Sequence, residues 1–545
     1  MTPPDRAQPS AIKLPLALRP DARPTIFHFW QNASDDNLER TPMISASSRH
    51  LRRSASNGFD LGIASLATLA AALMAGCGAS GGGTQSTLSG TTAVTLLASS
   101  TANDKLSELT LNITGLTLTD QQGKSVTLLS TPLYIEFMHL NGIVEPLATV
   151  TVPQDVYTSA TITANYGVPL CETYDSSNTT NYVYSAQSAP ASSVTANLPQ
   201  PLTITGTGMG LELNLQVSRS TNMTDCASIV EGPTPFSYTP TFDLTPVGLT
   251  AQPTNTANGR ALGLRGLITS VTGDGTGFTV PGDFGAGLNG PTWQITTNSS
   301  TVFQGITGAS QLAVGLPVDM DVDIQPGGDL LATRVAVYNT NSENLSFAFG
   351  PQSLVFNSPP NPGMSALAIE TQGPFFVGFL GDGFPYYFSS SAQTPTTFQI
   401  SGQMTNLNSL PFTPTFSAAT LLPGQTSLIT TLSAQYTSHP VASTITLLPQ
   451  TIDATVNAIA SSSGFTTYTV SLASYDLFLN LAGLKGQSNV ATNPGTIIVY
   501  TDSNTQMLNT EQPAVGSVLR FYGLLFDNNG SLSMDCAQVN DGVAE

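Results

Sequence analysis

The chain has 545 residues, a formal net charge of −19 and only 9% charged side chains. An acidic balance this strong excludes nucleic acid and anionic lipid headgroups as partners, because both need Lys/Arg patches. Scarce Glu, Lys and Arg beside abundant Thr, Ser, Gly, Asn and Val exclude a helical protein and imply an all-β chain with hydroxyl-rich polar faces.

The first element is an apolar run from Leu61 to Ala75, ending at Gly76-Cys77-Gly78. It is too short to span a bilayer as a helix and matches the apolar region of an export signal. Arg49, His50, Arg52 and Arg53 supply its positive flank. Small residues followed by Cys77 resemble the lipobox of bacterial lipoproteins, in which the cysteine thiol is diacylglycerylated and becomes the new N-terminus. That resemblance implies a membrane anchor at Cys77. Gly78, rather than Asp, follows the cysteine, so the outer membrane is the expected destination. Met43 is the expected start, with 1–42 a disordered or superfluous extension and 43–76 the signal peptide with its helix. Eight of the 16 basic and six of the 35 acidic residues precede Cys77, which leaves a mature net charge near −21. Export permits disulfides. Cys171 and Cys226 lie in one domain and form the favoured pair, leaving Cys536 as an odd thiol.

A Gly/Ser/Thr tether occupies 77–93. Alternating apolar residues then begin, with Leu109, Leu111 and Ile113, and with Leu116 and Leu118 after Gly115. Further strands follow at Ser125–Leu129 and Ala160–Ala164, the second preceded by Val152-Pro153 and Tyr157. This order resembles a domain of unknown function found in bacterial lipoproteins. The likeness implies an immunoglobulin-like or prealbumin-like β-sandwich over 94–252 and carries no activity.

A second grammar starts at Arg260. It reads as a hairpin around Gly273-Asp274-Gly275, then Trp293-Gln-Ile295, Thr301-Val-Phe303, Val314-Gly315 and a closing strand pair. The C-terminal part repeats it through Gly464, Ile497–Tyr500, Thr505-Gln-Met507, Val515-Gly516 and Asn529-Gly530. A weaker copy in the middle uses Phe398-Gln-Ile400, Thr415-Phe416 and Pro423-Gly424. This pattern resembles an uncharacterised family of small five-stranded barrels, similar to OB-folds, repeated in lipoproteins. The expected domains are 259–340, 341–452 and 453–545. The glycines before the fourth strand are expected at a bulge or tight bend where a Cβ would be hindered. The strands after them should turn Leu316, Val318 and Met320 inward in one unit, and Val518 with Arg520 or Phe521 in another.

Candidate chemistry is sparse. Only His139 and His439 follow the leader, and no nucleophile-elbow serine stands in strand–helix context, so a hydrolase triad is not expected. Asp319, Asp321 and Asp323 alternate on one strand face and read as a solvated face rather than a calcium site. The aromatics Phe379, Phe384, Tyr386 and Tyr387 read first as the core of a hairpin, with a binding surface as the competing reading. The expectation is a non-enzymatic, lipid-anchored binding or structural module of the cell envelope. No metal or cofactor is expected, and the partner is a glycan or an envelope protein. The competing reading is a carbohydrate-binding accessory or an enzyme with a dispersed site.

Overall fold

The computed structural model describes residues 88–541. Exceptions are 166–168, 175–180, 186–191, 223–236, 250–258, 283–289, 338–345, 357–363, 370–383, 390–395, 432–441, 479–495, 509–512 and the single positions 104, 107, 405, 423, 463 and 477. Strand is the dominant regular structure of the described residues, with only short helical turns, as the composition requires.

Two facing sheets come first. Their strands are β1 (Thr91–Ser100), β2 (Glu108–Asp120), β3 (Ser125–Leu129), β4 (Leu133–Glu136), β5 (Glu145–Pro153), β6 (Asp155–Asn165), β7 (Pro169–Tyr174), β8 (Asn181–Ser185), β9 (Ser192–Ala196), β10 (Leu202–Ile204), β11 (Gly208–Leu215) and β12 (Phe242–Val247). One sheet runs β12-β11-β1-β5, with β1 parallel to β11. The other runs β10-β6-β2-β7-β8, with β3, β4 and β9 on its flanks. Leu96, Leu109, Ile113, Leu116, Leu118 and Ile162 fill the space between the two sheets. The phase of β2 slips by one residue between Ile113 and Leu116 because a bulge lies between Ile113 and Gly115. An inserted residue resets which face the following side chains occupy.

The first barrel uses β13 (Arg260–Leu267), β14 (Ser270–Val271), β15 (Gly277–Pro281), β16 (Thr292–Thr296), β17 (Val302–Gln304), β18 (Pro317–Ile324) and β19 (Leu330–Val337). The next unit uses β20 (Ser346–Phe356), β21 (Met364–Ile369), β22 (Phe384–Ser389), β23 (Thr397–Ile400), β24 (Thr426–Thr431) and β25 (Ala442–Leu447). The last uses β26 (Gln450–Ser462), β27 (Phe465–Leu472), β28 (Thr496–Thr501), β29 (Gln506–Met507), β30 (Val518–Asn528) and β31 (Ser531–Asp541). In the last unit β26 pairs with β27, β27 with β28, β28 in parallel with β31, β31 with β30, and β30 with β26. That circuit closes a five-stranded barrel. The first unit has the same pairing, with β13 and β14 sharing the role of β26. The middle unit has the same order, with β22 at the edge.

Two local devices recur in all three units. Gly315, Gly424 and Gly516 have φ of 87°, 87° and 92°, and each stands two residues before the fourth strand. The next N–H donates back to residue i−3: Leu316 to Ala313, Gln425 to Leu422 and Ser517 to Ala514. This is a turn with glycine in its positive-φ position. Of the bulge or tight bend expected there the structure shows the tight bend, and the expected crowding is present at Gly424, where an added Cβ would meet the Phe478 ring at 2.5 Å. Around Gly516 an added Cβ would meet nothing within 4 Å, so backbone conformation and not crowding requires glycine there.

The second device is a threonine. Thr301, Thr396 and Thr505 precede the short strands β17, β23 and β29. Their hydroxyls donate to the carbonyls of Ala332, Ala442 and Cys536 at 2.8, 2.7 and 2.8 Å. Each acceptor sits beside a bulge on the fifth strand, at Thr333, Ser443 and Ala537. Thr396 thus holds the place expected of Thr415. Thr415-Phe416 instead lies in the long segment between β23 and β24.

Leu316, Val318 and Met320 point into the first barrel as expected. In the last, Leu519 and Phe521 point inward while Val518 and Arg520 face out, so Phe521 is the inward alternative and Val518 is corrected. Only Leu448 and Pro449 separate β25 from β26. Residues Gly83–Glu545 form one compact unit.

Candidate functional site

The chemistry of the described residues concentrates on the outer faces of the barrels. On β18, inward Val318, Met320, Val322 and Ile324 alternate with outward Asp319, Asp321 and Asp323. Each aspartate has an arginine directly opposite on a neighbouring strand. Asp323 faces Arg260, Asp319 faces Arg265 and Asp321 faces Arg334. Arg260 and Arg265 are five apart while their partners are four apart. A bulge between Ala261 and Leu264, with Gly263 at φ 68°, absorbs the difference.

Arg260 Nε donates to Asp323 at 3.0 Å and Arg265 Nε to Asp319 at 2.8 Å. Arg334 Nε donates to Asp321 at 2.7 Å, and its Nη2 also reaches Asp319. The Gly263 N–H and the Gln403 amide donate to Asp321 Oδ1 at 2.9 and 3.1 Å. Asp319 is fully buried, and Asp321 and Asp323 are buried as well. The solvated strand face expected for this triplet is therefore corrected. The barrel's outer face is covered by the middle and last units, and arginines neutralise it. Burial alone would raise the Asp319 carboxyl, but the Arg334 and Arg265 charges outweigh it and hold it below the usual range. At Asp323 burial wins over Arg260 and the carboxyl rises. Tyr522 approaches from the last barrel, and burial pushes its phenol up to about 12.

The same cross-strand position is reused. Counting from the turn glycines, Arg265–Asp319 in the first barrel corresponds to Phe349–Leu428 in the middle unit and Asp453–Arg520 in the last. The charges are reversed between first and last. There Arg520 Nη1 donates to the Ser100 carbonyl at 2.9 Å and Asn141 Nδ2 to Asp453 at 2.9 Å. The Gln538 amide reaches the Gly142 carbonyl at 2.8 Å, and the Trp293 indole reaches that of Pro146 at 2.8 Å.

The segment carrying Asn141 to Pro146 is braced by His139. Its Nδ1 lies 2.9 Å from Glu136 and its Nε2 lies 2.8 Å from Glu145. Burial would lower the imidazole, but Glu145 and Glu136 raise it to about 10. Glu136 also accepts the N–H groups of Leu109, Met138 and His139. This is a buried imidazolium donating from both nitrogens, which leaves none to take a proton from a substrate.

These groups can orient and lock modules against one another. Among the described residues, no three His, Cys, Asp or Glu side chains stand close enough to hold a metal. Cys77, Cys226 and Phe379 lie outside the described residues. The backbone of Cys171 is on β7 opposite Tyr184. The backbone of β22 sets Phe384 opposite Ile369, Tyr386 opposite Leu367 and Tyr387 opposite Ala366. The structure thus brings the β18 aspartates together with arginines and with Gln403 and Tyr522, none of which the sequence reading singled out. The available signal was scarcity, since Arg260, Arg265 and Arg334 are three of the eight cations that follow residue 77.

Residues 265–336 match the family model of DUF5666, a domain of unknown function, and fall on the first barrel. No curated protein matches the chain. Among solved structures, a glycoside hydrolase family 32 structure from Bifidobacterium adolescentis aligns at 11% identity. That alignment covers 82% of this chain and 67% of the other, with a TM-score of 0.11. Similarity at that level carries no argument about fold or activity.

Proposed function

We propose that the protein is a non-enzymatic, lipid-anchored module of the cell envelope, held at the membrane by an exported, diacylglycerylated Cys77. In this reading it presents a rigid array of barrels to a glycan or an envelope protein. The observation that carries the reading is the set of polar contacts between units. Arg520 to Ser100, Trp293 to Pro146, Gln538 to Gly142 and Gln403 to Asp321 join the sandwich, the first and last barrels and the middle unit. Two of these contacts bury a charged group, Arg520 in one and Asp321 in the other. Each bond is directional and would leave a buried polar group unpaired if the units shifted, so together they fix one relative arrangement.

The candidate acid–base groups support the non-enzymatic side. The β18 carboxylates are engaged by arginines, and His139 is engaged on both nitrogens. Labelled palmitate and membrane fractionation test the anchor. Wild type should take up label and sediment with membranes, and Cys77→Ser should do neither. If wild type takes up no label while Cys77→Ser still fractionates with membranes, the anchor is wrong. A glycan panel titrated by calorimetry, with sedimentation for self-association, tests the partner class.

A further inference from the structure

The outer face of β31 carries Ser533 and Asp535, while Leu532, Met534 and Cys536 point into the barrel. Across the ladder from Asp535 and Ser533 stand Leu524 and Phe526, which pack on the core of the middle unit. Ser533 and Asp535 are therefore sealed between two modules, each with 1% exposure. Neither Asp535 oxygen has a hydrogen-bond partner, and the Ser533 hydroxyl has none. A second carboxylate, Asp502, follows β28 and acts on Asp535 through its charge. Asn406, from the middle unit, donates Nδ2 to Asp502 Oδ2 at 2.9 Å. Its amide is near enough to Asp535 to favour the ionised form, yet outside bonding geometry for either oxygen.

A buried carboxylate with no donor in bonding geometry, beside another carboxylate, favours a proton or a cation. The uncommitted atoms are all hard oxygens. A proton could satisfy one Asp535 oxygen, but it would leave the other and the Ser533 hydroxyl without a partner. We propose that Asp535, Asp502 and Ser533 form a divalent cation site at the seam between the middle and last units, with calcium the preferred ion. Calcium takes mixed carboxylate and neutral oxygen donors in irregular geometry, whereas magnesium demands a near-ideal octahedron. Asn406 completes the set by rotating its amide to present Oδ1. The two faces of the site belong to different units, so the ion would tie them together.

Calorimetric titration of the full chain with calcium chloride at neutral pH, paired with thermal unfolding, tests this. Saturable binding of one calcium with a raised Tm is expected, with weaker binding of magnesium. Asp535→Asn preserves shape and removes the charge, so it should fold and bind calcium at least about tenfold more weakly. Ser533→Ala should weaken binding without unfolding the chain. Unchanged calcium affinity in Asp535→Asn would overturn the proposal. So would a wild type that binds no calcium and loses Tm as pH rises from about 4 to about 7, since a proton alone would then neutralise Asp535.

Discussion

Arg520 and Ser100 are 420 residues apart, and the Arg520 guanidinium donates to the Ser100 carbonyl at 2.9 Å. The fourth strand of the last barrel thereby touches the first strand of the sandwich. Ser100 is fully buried, so no water can replace the lost donor. Arg520→Met keeps the apolar stem and removes the donors. It should cost about 1–3 kcal/mol and split one calorimetric transition into two as the sandwich parts from the last barrel. An unchanged single transition would show that this contact does not couple them.

The Asp319 carboxylate compensates Arg265 and Arg334 inside the protein. Asp319→Asn leaves that excess positive charge buried and should cost about 3–5 kcal/mol in urea unfolding. The folded carboxyl titrates below its unfolded value. Its contribution is therefore present above the unfolded pKa, about 4, and is lost as pH falls below it. Wild-type urea midpoints should drop below pH 4, and Asp319→Asn should flatten that part of the profile.

His139 has the opposite sign. Its folded value, about 10, stands above the unfolded 6.5. Its contribution is full below pH 6.5 and is lost as pH rises toward 10. Stability should decline through this window in wild type and decline less in His139→Gln. Nitrogen chemical shifts of the imidazole should show both nitrogens protonated at pH 8. A neutral ring at that pH would contradict the two-carboxylate clamp.

Gly315→Ala and Gly516→Ala should each cost about 1–2 kcal/mol, because alanine pays for positive φ at both places. Asn should be tolerated better than Ala at Gly516, where no neighbour crowds the site. Equal losses for Ala and Asn would argue against a backbone origin.

Non-reducing peptide mapping of exported protein should recover Cys171 and Cys226 as one linked pair, closing a loop of about 55 residues, worth ~4 kcal/mol in the chain-entropy model. Recovery of both as free thiols would remove the pairing. Cys536 should resist alkylation in the native state, since it is buried in the last barrel and burial pushes its thiol up.

Strand periodicity was legible because apolar residues alternate wherever one face meets a core, as at Leu109–Ile113 and Val318–Ile324. The glycine before the fourth strand was legible too, and of its two expected causes the tight bend holds at all three places while crowding holds at Gly424 and not at Gly516. Turn chemistry and steric crowding leave the same residue in a sequence, and only φ separates them. The β18 aspartates failed for a different reason. Alternating acids look solvated when a barrel is considered alone, and their partners sit 13 to 63 residues away on strands whose bulges set the pairing. The middle unit was blurred by the long segment between β23 and β24, which displaced the threonine signal from Thr396 to Thr415.

The two-residue splice between β25 and β26 has a mechanical meaning. Leu448 is buried and its N–H is held by the Thr426 carbonyl, so the join has no slack to extend. Tension applied along the chain cannot be relieved by straightening a linker there. It loads the β24–β25 and β26–β30 ladders in shear, where many hydrogen bonds must yield together. The join between β25 and β26 is thus a stiff point in the chain rather than a hinge.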